Sequence, residues 1–253
     1  MKLDRESVDR FLAGQEIADS WVFSEIEEGR RCFDLSDATG REREIRELTQ
    51  QVSERINAFV PENAEVYRQL FPNFQKELQE VQVCLTYDAM VMQREEEGIR
   101  HEVIVFDMAR FLGYGERALG LVSRLTTHET AHILMHKRWP ILAEDVPYRR
   151  QLQHLCFDEG FAHLLACGEE IASFDFSGWV DQYWEPSLQK LREALACTDP
   201  EKQQECLIRA NAGPYWEKFA CITGKLYLAQ HRDRLLSIYS EGPDRFLPEL
   251  FLP

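Results

Sequence analysis

Apolar residues recur at intervals of three and four over most of the chain, which predicts a largely helical protein. In residues 41–60 they fall on one helical face, with charged residues opposite, and Pro61 ends the pattern. Further helices are expected at residues 4–28, 148–166, 184–197, 200–210 and 215–229.

Residues 116–138 form a different kind of helix. Their apolar side chains surround much of the helical circumference, which predicts a helix buried at the centre of the fold. Trp139-Pro140 ends it, because the residue before proline disfavours helical backbone angles.

Two segments rich in β-branched and aromatic residues, 81–92 and 102–108, predict strands. The turn between them ends in Gly98 and suits a pair of neighbouring antiparallel strands. Strand patterns before residue 80 are weak, so the sheet is expected to be small. The last residues, 245–253, contain two prolines and are expected to pack as an extended segment.

The composition is that of a globular protein with an acidic surface. The 253 residues include 44% hydrophobic and 29% charged side chains, and the net charge is -15. This charge disfavours a nucleic-acid partner, since phosphate contacts require clustered Lys and Arg. No apolar run approaches the roughly 20 residues that cross a bilayer, so no membrane partner is expected. The polar start of the chain favours a cytoplasmic location.

We expect one compact domain, with helices and a small sheet in residues 1–113 and a helical part in residues 114–253. The seven cysteines are irregularly spaced, and no C-x-x-C pair occurs. Reduced, buried thiols are therefore predicted rather than a disulfide framework or a cysteine metal site. The sequence does not indicate an oligomeric state.

The sequence HETAH at residues 128–132 is an instance of H-E-x-x-H inside the predicted central helix. Residues four apart share one helical face, so His128 and His132 can direct two imidazoles at one metal ion. Glu129 lies about 100° around the helix, within reach of a metal-bound water. The motif therefore predicts a metal centre with a general base beside it.

A catalytic zinc ion usually has three protein ligands, so a third must come from elsewhere. His136 lies about 12 Å from His128 along the helix axis, too far to share one ion. Glu159, in FDEGFAHLLA on the next predicted helix, is the best candidate, and His154 is possible. Gly160 and Ala162 are small and would let the two helices approach closely.

H-E-x-x-H followed 27 residues later by E-G-F-A resembles the gluzincin metallopeptidases, including the small, minigluzincin-like predicted zinc-dependent proteases. The resemblance covers residues 102–166. It implies one zinc ion per chain, held by His128, His132 and Glu159, with Glu129 as the catalytic base. It also implies an edge strand, here residues 102–110, that pairs with extended peptide.

The resemblance implies an α+β fold in which a small sheet packs on a predominantly helical, zincin-like core with the H-E-x-x-H helix at its centre. Two positions differ from the relatives. Asp158 replaces the usual asparagine before the third ligand, and His163 stands where an acidic residue is common. His163 shares a helical face with Glu159 and could orient a ligand.

Gluzincins generally take an oxyanion-stabilising group from a later helix. Tyr215 is the first candidate, because Gly213-Pro214 marks a helix start. The alternatives are Tyr183, Tyr227 and His231.

Together these features predict a zinc-dependent hydrolase, a metallopeptidase acting on peptide or protein substrates. The alternative is a non-catalytic zinc-binding scaffold or regulatory module on the same fold.

Overall fold

We describe the protein from a computed structural model that covers residues 1–17, 19–24, 40–86, 93–96, 99–143 and 145–251. The strands are β1 (Lys2–Asp4), β2 (Gln82–Thr86), β3 (Gln93–Glu96) and β4 (Ile99–Asp107). The first helices are α1 (Glu6–Leu12), α2 (Trp21–Ser24), α3 (Glu42–Asn57), α4 (Ala64–Leu70), α5 (Phe74–Glu77) and α6 (Met108–Leu112). The later helices are α7 (Ala118–Arg138), α8 (Tyr148–Leu165), α9 (Ser177–Leu195), α10 (Pro200–Asn211), α11 (Phe219–Gln230), α12 (Leu235–Glu241) and α13 (Pro248–Phe251).

The predicted α+β class is confirmed: the chain is mostly helical and carries one small sheet. It divides into two compact units. The first contains Met1–Pro61 and Asn73–Thr126, and the second contains Glu62–Pro72 and Thr127–Pro253. The division falls inside α7, between Thr126 and Thr127.

The sheet of the first unit has the strand order β1-β2-β4-β3. β2 pairs with both β1 and β4 in parallel, and only β3 and β4 are antiparallel. From Val103 to Phe106, successive side chains of β4 are all at most 5% exposed, so both faces of the strand are covered. Helix α3 carries two fully buried side chains of the first unit, Ile45 and Val52.

Two strand predictions are wrong. The segment 81–92 is predicted to pair antiparallel with residues 102–108, but its described part, β2, runs parallel to β4, and residues 87–92 lie outside the described residues. Residues 102–110 are not an edge strand, since β4 lies between β2 and β3 and α6 begins at Met108. Parallel pairing depends on a distant connection that local patterns do not encode.

α8 and α11 lie at the centre of the second unit. Both are buried around most of their circumference, with Phe157 and Phe161 of α8 fully inaccessible. The short α4 belongs to this unit, where the buried Tyr67 hydroxyl lies 2.8 Å from the Thr130 hydroxyl of α7. Because Thr130 lies inside the H-E-x-x-H motif, this contact holds the motif-bearing part of α7 against α4.

The longer helices agree with the sequence to within a few residues, apart from α9, which begins at Ser177 instead of residue 184. The prediction for residues 4–28 is wrong in part, because it becomes two short helices preceded by β1, and residues 25–39 lie outside the described residues. The extended tail is also wrong, since a 3₁₀ turn at Pro243–Arg245 and α13 occupy it. Within the described residues, no helix combines the length and apolar character needed to cross a membrane.

Candidate metal centre

The two histidines of the H-E-x-x-H motif direct their rings at a common point. The Nε2 atoms of His128 and His132 are 3.0 Å apart, and both side chains are largely buried, with 14% and 12% exposed. One turn of α7 separates them, which is why they share a face. The sequence prediction for this pair is therefore consistent with the geometry.

α8 brings Glu159 to the same point. Its Oε2 lies 3.6 Å from Nε2 of His128, and its Oε1 lies 3.8 Å from Nε2 of His132. Ligand atoms about 2.0–2.1 Å from a tetrahedral zinc ion are about 3.3 Å from each other. The three spacings of 3.0, 3.6 and 3.8 Å bracket that value. Two imidazole nitrogens and a carboxylate therefore fit a zinc ion in both spacing and chemistry.

Glu129 lies beside these ligands. A carboxylate oxygen of Glu129 and one ring nitrogen each from His128 and His132 all lie within 4.8 Å of one another. Burial raises the pKa of Glu129, and the nearby charges of Glu159 and Asp158 add to that effect. A carboxylate with a raised pKa is a better proton acceptor, as a general base requires.

Asp158 contacts the second histidine from behind. Its Oδ2 lies 3.0 Å from Nδ1 of His132 and 3.1 Å from Nε2 of His136. The first contact is an ion pair rather than a well-directed hydrogen bond. A carboxylate on the far nitrogen of a metal-binding imidazole orients the ring and raises its basicity. Asp158 is therefore placed to orient the ring of His132.

His163 contacts the same carboxylate oxygen of Glu159 as His128 does, and the ring centres of the two histidines are 4.6 Å apart. Its Nε2 lies 3.4 Å from Oε2 of Glu159 and has no hydrogen-bond partner among the described residues. Burial lowers the pKa of His163 to about 3, and the charges of Lys218 and Lys225 contribute. The ring is therefore neutral at physiological pH and can offer a lone pair to the centre.

Asn211, at the end of α10, holds Glu159 from a third direction. Its Nδ2 donates to Oε1 of Glu159 at 2.7 Å, and its Oδ1 accepts from Sγ of Cys221 at 3.1 Å. Because its amide oxygen is bound by the thiol, the NH₂ group faces the carboxylate. Glu159 is thereby fixed between His163 and Asn211.

The candidate oxyanion donors differ in which residues they pack against. Tyr215 packs its ring edge-on against His163, with the ring centres 5.3 Å apart, and 39% of the residue is exposed. Tyr183 is one layer farther out, stacked on Trp216 at 3.9 Å. Tyr227 and His231 pack on each other, and Tyr227 also packs on Phe246. Tyr215 is therefore the candidate that the fold brings to the centre.

The remaining alternative ligand, His154, lies elsewhere. It lines a cavity of about 380 Å³ together with His136 and Asp158, and neither His128 nor His132 lines that cavity. Its place beside Asp158 does not make it an alternative to Glu159, which directly faces both Nε2 atoms.

The charges of the centre indicate one proton shared by two rings. Burial opposes a charge on His132, but Asp158, Glu159 and Glu129 outweigh it and raise its pKa to about 10. Burial and the charge on His132 lower the pKa of His128 well below the usual value. The Nε2 atoms of the two rings lie within hydrogen-bond distance, and a metal ion bound by both nitrogens would displace the proton between them.

Sequence reasoning missed several of these residues. Asn211 and Lys218 stand in stretches with no recognisable motif. Lys225 had a signal, since it is the one charged residue in the apolar run FACITGKLYLA, and a cation in a buried helix needs a partner. Gly160 was assigned to the contact with α7, but it packs against Gly224 of α11.

Comparisons with known protein families, with curated proteins and with solved structures find no match to this chain. The chemistry of the centre therefore rests on its own residues and on their spacing.

Proposed function

We propose that this protein is a zinc-dependent hydrolase that cleaves peptide bonds, a metallopeptidase of the gluzincin type. The observation that carries the proposal is the convergence of His128, His132 and Glu159 on one point, with Glu129 beside it. A purely structural zinc site has no need for a buried carboxylate next to its ligands.

A bound zinc ion would supply Lewis-acid activation of water and of the substrate carbonyl. Glu129 takes a proton from the attacking water on its carboxylate and returns that proton to the leaving amine. The hydroxyl of Tyr215 donates to the carbonyl oxygen as negative charge develops there. Asp158 and Asn211 keep His132 and Glu159 in position throughout.

Peptide is the substrate class favoured by the pairing of HETAH with E-G-F-A, which resembles that of the gluzincins. The net charge of -15 is compatible with cationic peptides. A cytoplasmic location is part of the same proposal, because the six cysteines among the described residues carry free thiols.

The test combines metal analysis with the substitution Glu129→Gln. Purified protein is expected to hold one zinc ion per chain and to cleave members of a diverse peptide library, and a chelator should abolish cleavage. Glu129→Gln should keep the zinc and lose hydrolysis, while Glu205→Gln, an exposed control on α10, should retain both. Cleavage at the parental rate by Glu129→Gln would overturn the proposed role of this carboxylate.

A second candidate function is that of a non-catalytic zinc-binding scaffold, and His163 favours it. Its Nε2 is buried and lies 3.4 Å from Glu159, so it could act as a fourth protein ligand. Four protein ligands close a tetrahedral zinc site, and water then has no position on the metal.

His163→Ala separates the two functions. In the hydrolase, three ligands remain and zinc stoichiometry should persist. In the closed scaffold, zinc affinity should fall by orders of magnitude, and the parent should cleave no peptide. X-ray absorption of the parent gives an independent count of nitrogen and oxygen neighbours in the two cases.

A further inference from the structure

Lys225 is a buried cation enclosed by aromatic rings. It lies in α11 and is 1% exposed. Its Nζ lies 4.3 Å from the ring centre of Trp179, 5.2 Å from that of Tyr215 and 5.4 Å from that of Trp216. The negative faces of aromatic rings stabilise an ammonium group, and most strongly when water is excluded. These rings therefore favour the charged form of Lys225.

The same ammonium group is hydrogen-bonded to the candidate oxyanion donor. Nζ of Lys225 donates to the phenol oxygen of Tyr215 at 2.8 Å. An ammonium group has three donors and no acceptor, so Tyr215 cannot donate its own proton to Lys225. The phenol oxygen accepts from one side, and its proton must point in another direction.

Tyr215 connects this cation to the metal centre. Its ring meets His163 edge-on at 5.3 Å, and His163 in turn lies against Glu159. A hydroxyl that accepts a charge-assisted hydrogen bond becomes a stronger donor, because successive hydrogen bonds polarise one another.

We propose that Lys225 is a positioning residue that turns the Tyr215 hydroxyl proton away from itself and toward the carbonyl oxygen of a bound peptide. This inference rests on the proposed function, in which Tyr215 is the oxyanion donor. In this role Lys225 touches neither substrate nor metal, and it acts on the substrate through the phenol of Tyr215. Trp179 and Trp216 exclude water from the ammonium group and so preserve its effect.

The charge and the hydrogen bond can be tested without turnover. In ¹⁵N-lysine-labelled protein at neutral pH, the Nζ resonance of Lys225 is assigned by its loss in Lys225→Met. We expect the Nζ chemical shift to be that of an ammonium group whose protons exchange slowly with solvent. We expect those protons to exchange faster in Tyr215→Phe. The shift of a neutral amine, or exchange unaffected by Tyr215→Phe, would overturn the inference. The comparison itself uses the parent and Tyr215→Phe. Where Lys225→Met fails to fold, loss of the same resonance in Lys225→Arg, which keeps the positive charge, gives the assignment.

The kinetic test is a double-mutant cycle on peptide cleavage. Tyr215→Phe should lower kcat about 100-fold or more, as loss of an oxyanion donor does, with KM nearly unchanged. Lys225→Met should lower kcat about tenfold at unchanged zinc content. In the Tyr215→Phe background, Lys225→Met should cause no further loss of kcat. Lys202→Met, an exposed control, should match the parent. Equal losses in both backgrounds would show that Lys225 does not act through Tyr215.

The two failures are distinguishable. A parent that binds zinc and cleaves no peptide removes the proposed function, whatever the lysine spectrum shows. A parent that cleaves peptide but has a neutral Lys225, or an additive cycle, retains that function and removes the role of Lys225.

Discussion

Gly224 of α11 lies in direct backbone contact with α8. A Cβ atom placed on Gly224 would come 1.9 Å from the carbonyl oxygen of Cys156, and one on Gly160 would come 2.8 Å from the Gly224 backbone. Only two glycines allow this approach. It sets the distance between the helix that carries Glu159 and the helix that carries Lys225.

Gly224→Ala should therefore destabilise the protein by at least about 3 kcal/mol, because the obstacle is backbone that cannot rotate away. The free energy of unfolding in urea measures the effect. Gly178→Ala in α9 is the matched control, since a Cβ there meets nothing within 4 Å. It should change stability by no more than about 1 kcal/mol. Similar changes in the free energy of unfolding for Gly224→Ala and Gly178→Ala would contradict the close backbone contact between α8 and α11.

Asn211→Ala removes the hydrogen bond to Oε1 of Glu159. We expect zinc affinity to fall about 10- to 100-fold, as is usual when a residue that holds a ligand is lost. Competition with a chromophoric chelator measures this. Gln204→Ala, an exposed position on the same helix, should leave affinity unchanged. An unaltered affinity in Asn211→Ala would mean that Glu159 is held by other contacts.

Asp158→Asn tests the ion pair behind His132. The substitution keeps the shape of the side chain but removes its charge, so His132 should bind zinc about tenfold more weakly. His136→Gln provides the comparison, because it removes the other partner of Asp158 and leaves the carboxylate. An effect in His136→Gln as large as that in Asp158→Asn would show that the pair acts as a unit.

Zinc affinity should rise with pH across the neutral range. Without metal, the pKa of His132 is raised to about 10, so at neutral pH the ring carries a proton that must leave before Nε2 binds zinc. Below that pKa, each unit of pH should raise affinity by up to about tenfold. Calorimetry in buffers of different ionisation enthalpy should detect about one proton released per zinc bound. No release at neutral pH would contradict a protonated His132.

The helices and the H-E-x-x-H pair followed from the sequence, because both depend on spacing within one element. Four residues on a helix place two side chains on one face whatever the rest of the chain does. The choice of Glu159 as third ligand also came from the sequence, and its position agrees with the geometry. The helices and the histidine pair are short-range consequences of periodicity, whereas the choice of Glu159 used the E-G-F-A segment that resembles the gluzincins.

The tertiary structure decided which distant side chains meet. β2 and β4 pair in parallel, although the local residue pattern of each strand is equally compatible with antiparallel pairing. Asn211 and Lys225 come from helices that follow the motif by some 80 to 100 residues, and no local pattern assigns their partners. Asn211 reaches Glu159 through the packing of α10 on α8, and Lys225 reaches Tyr215 because the chain folds back just before α11. The backbone contact between Gly160 and Gly224 holds α11 close to α8. Such contacts are set by how whole helices pack, and spacing along the chain does not encode them.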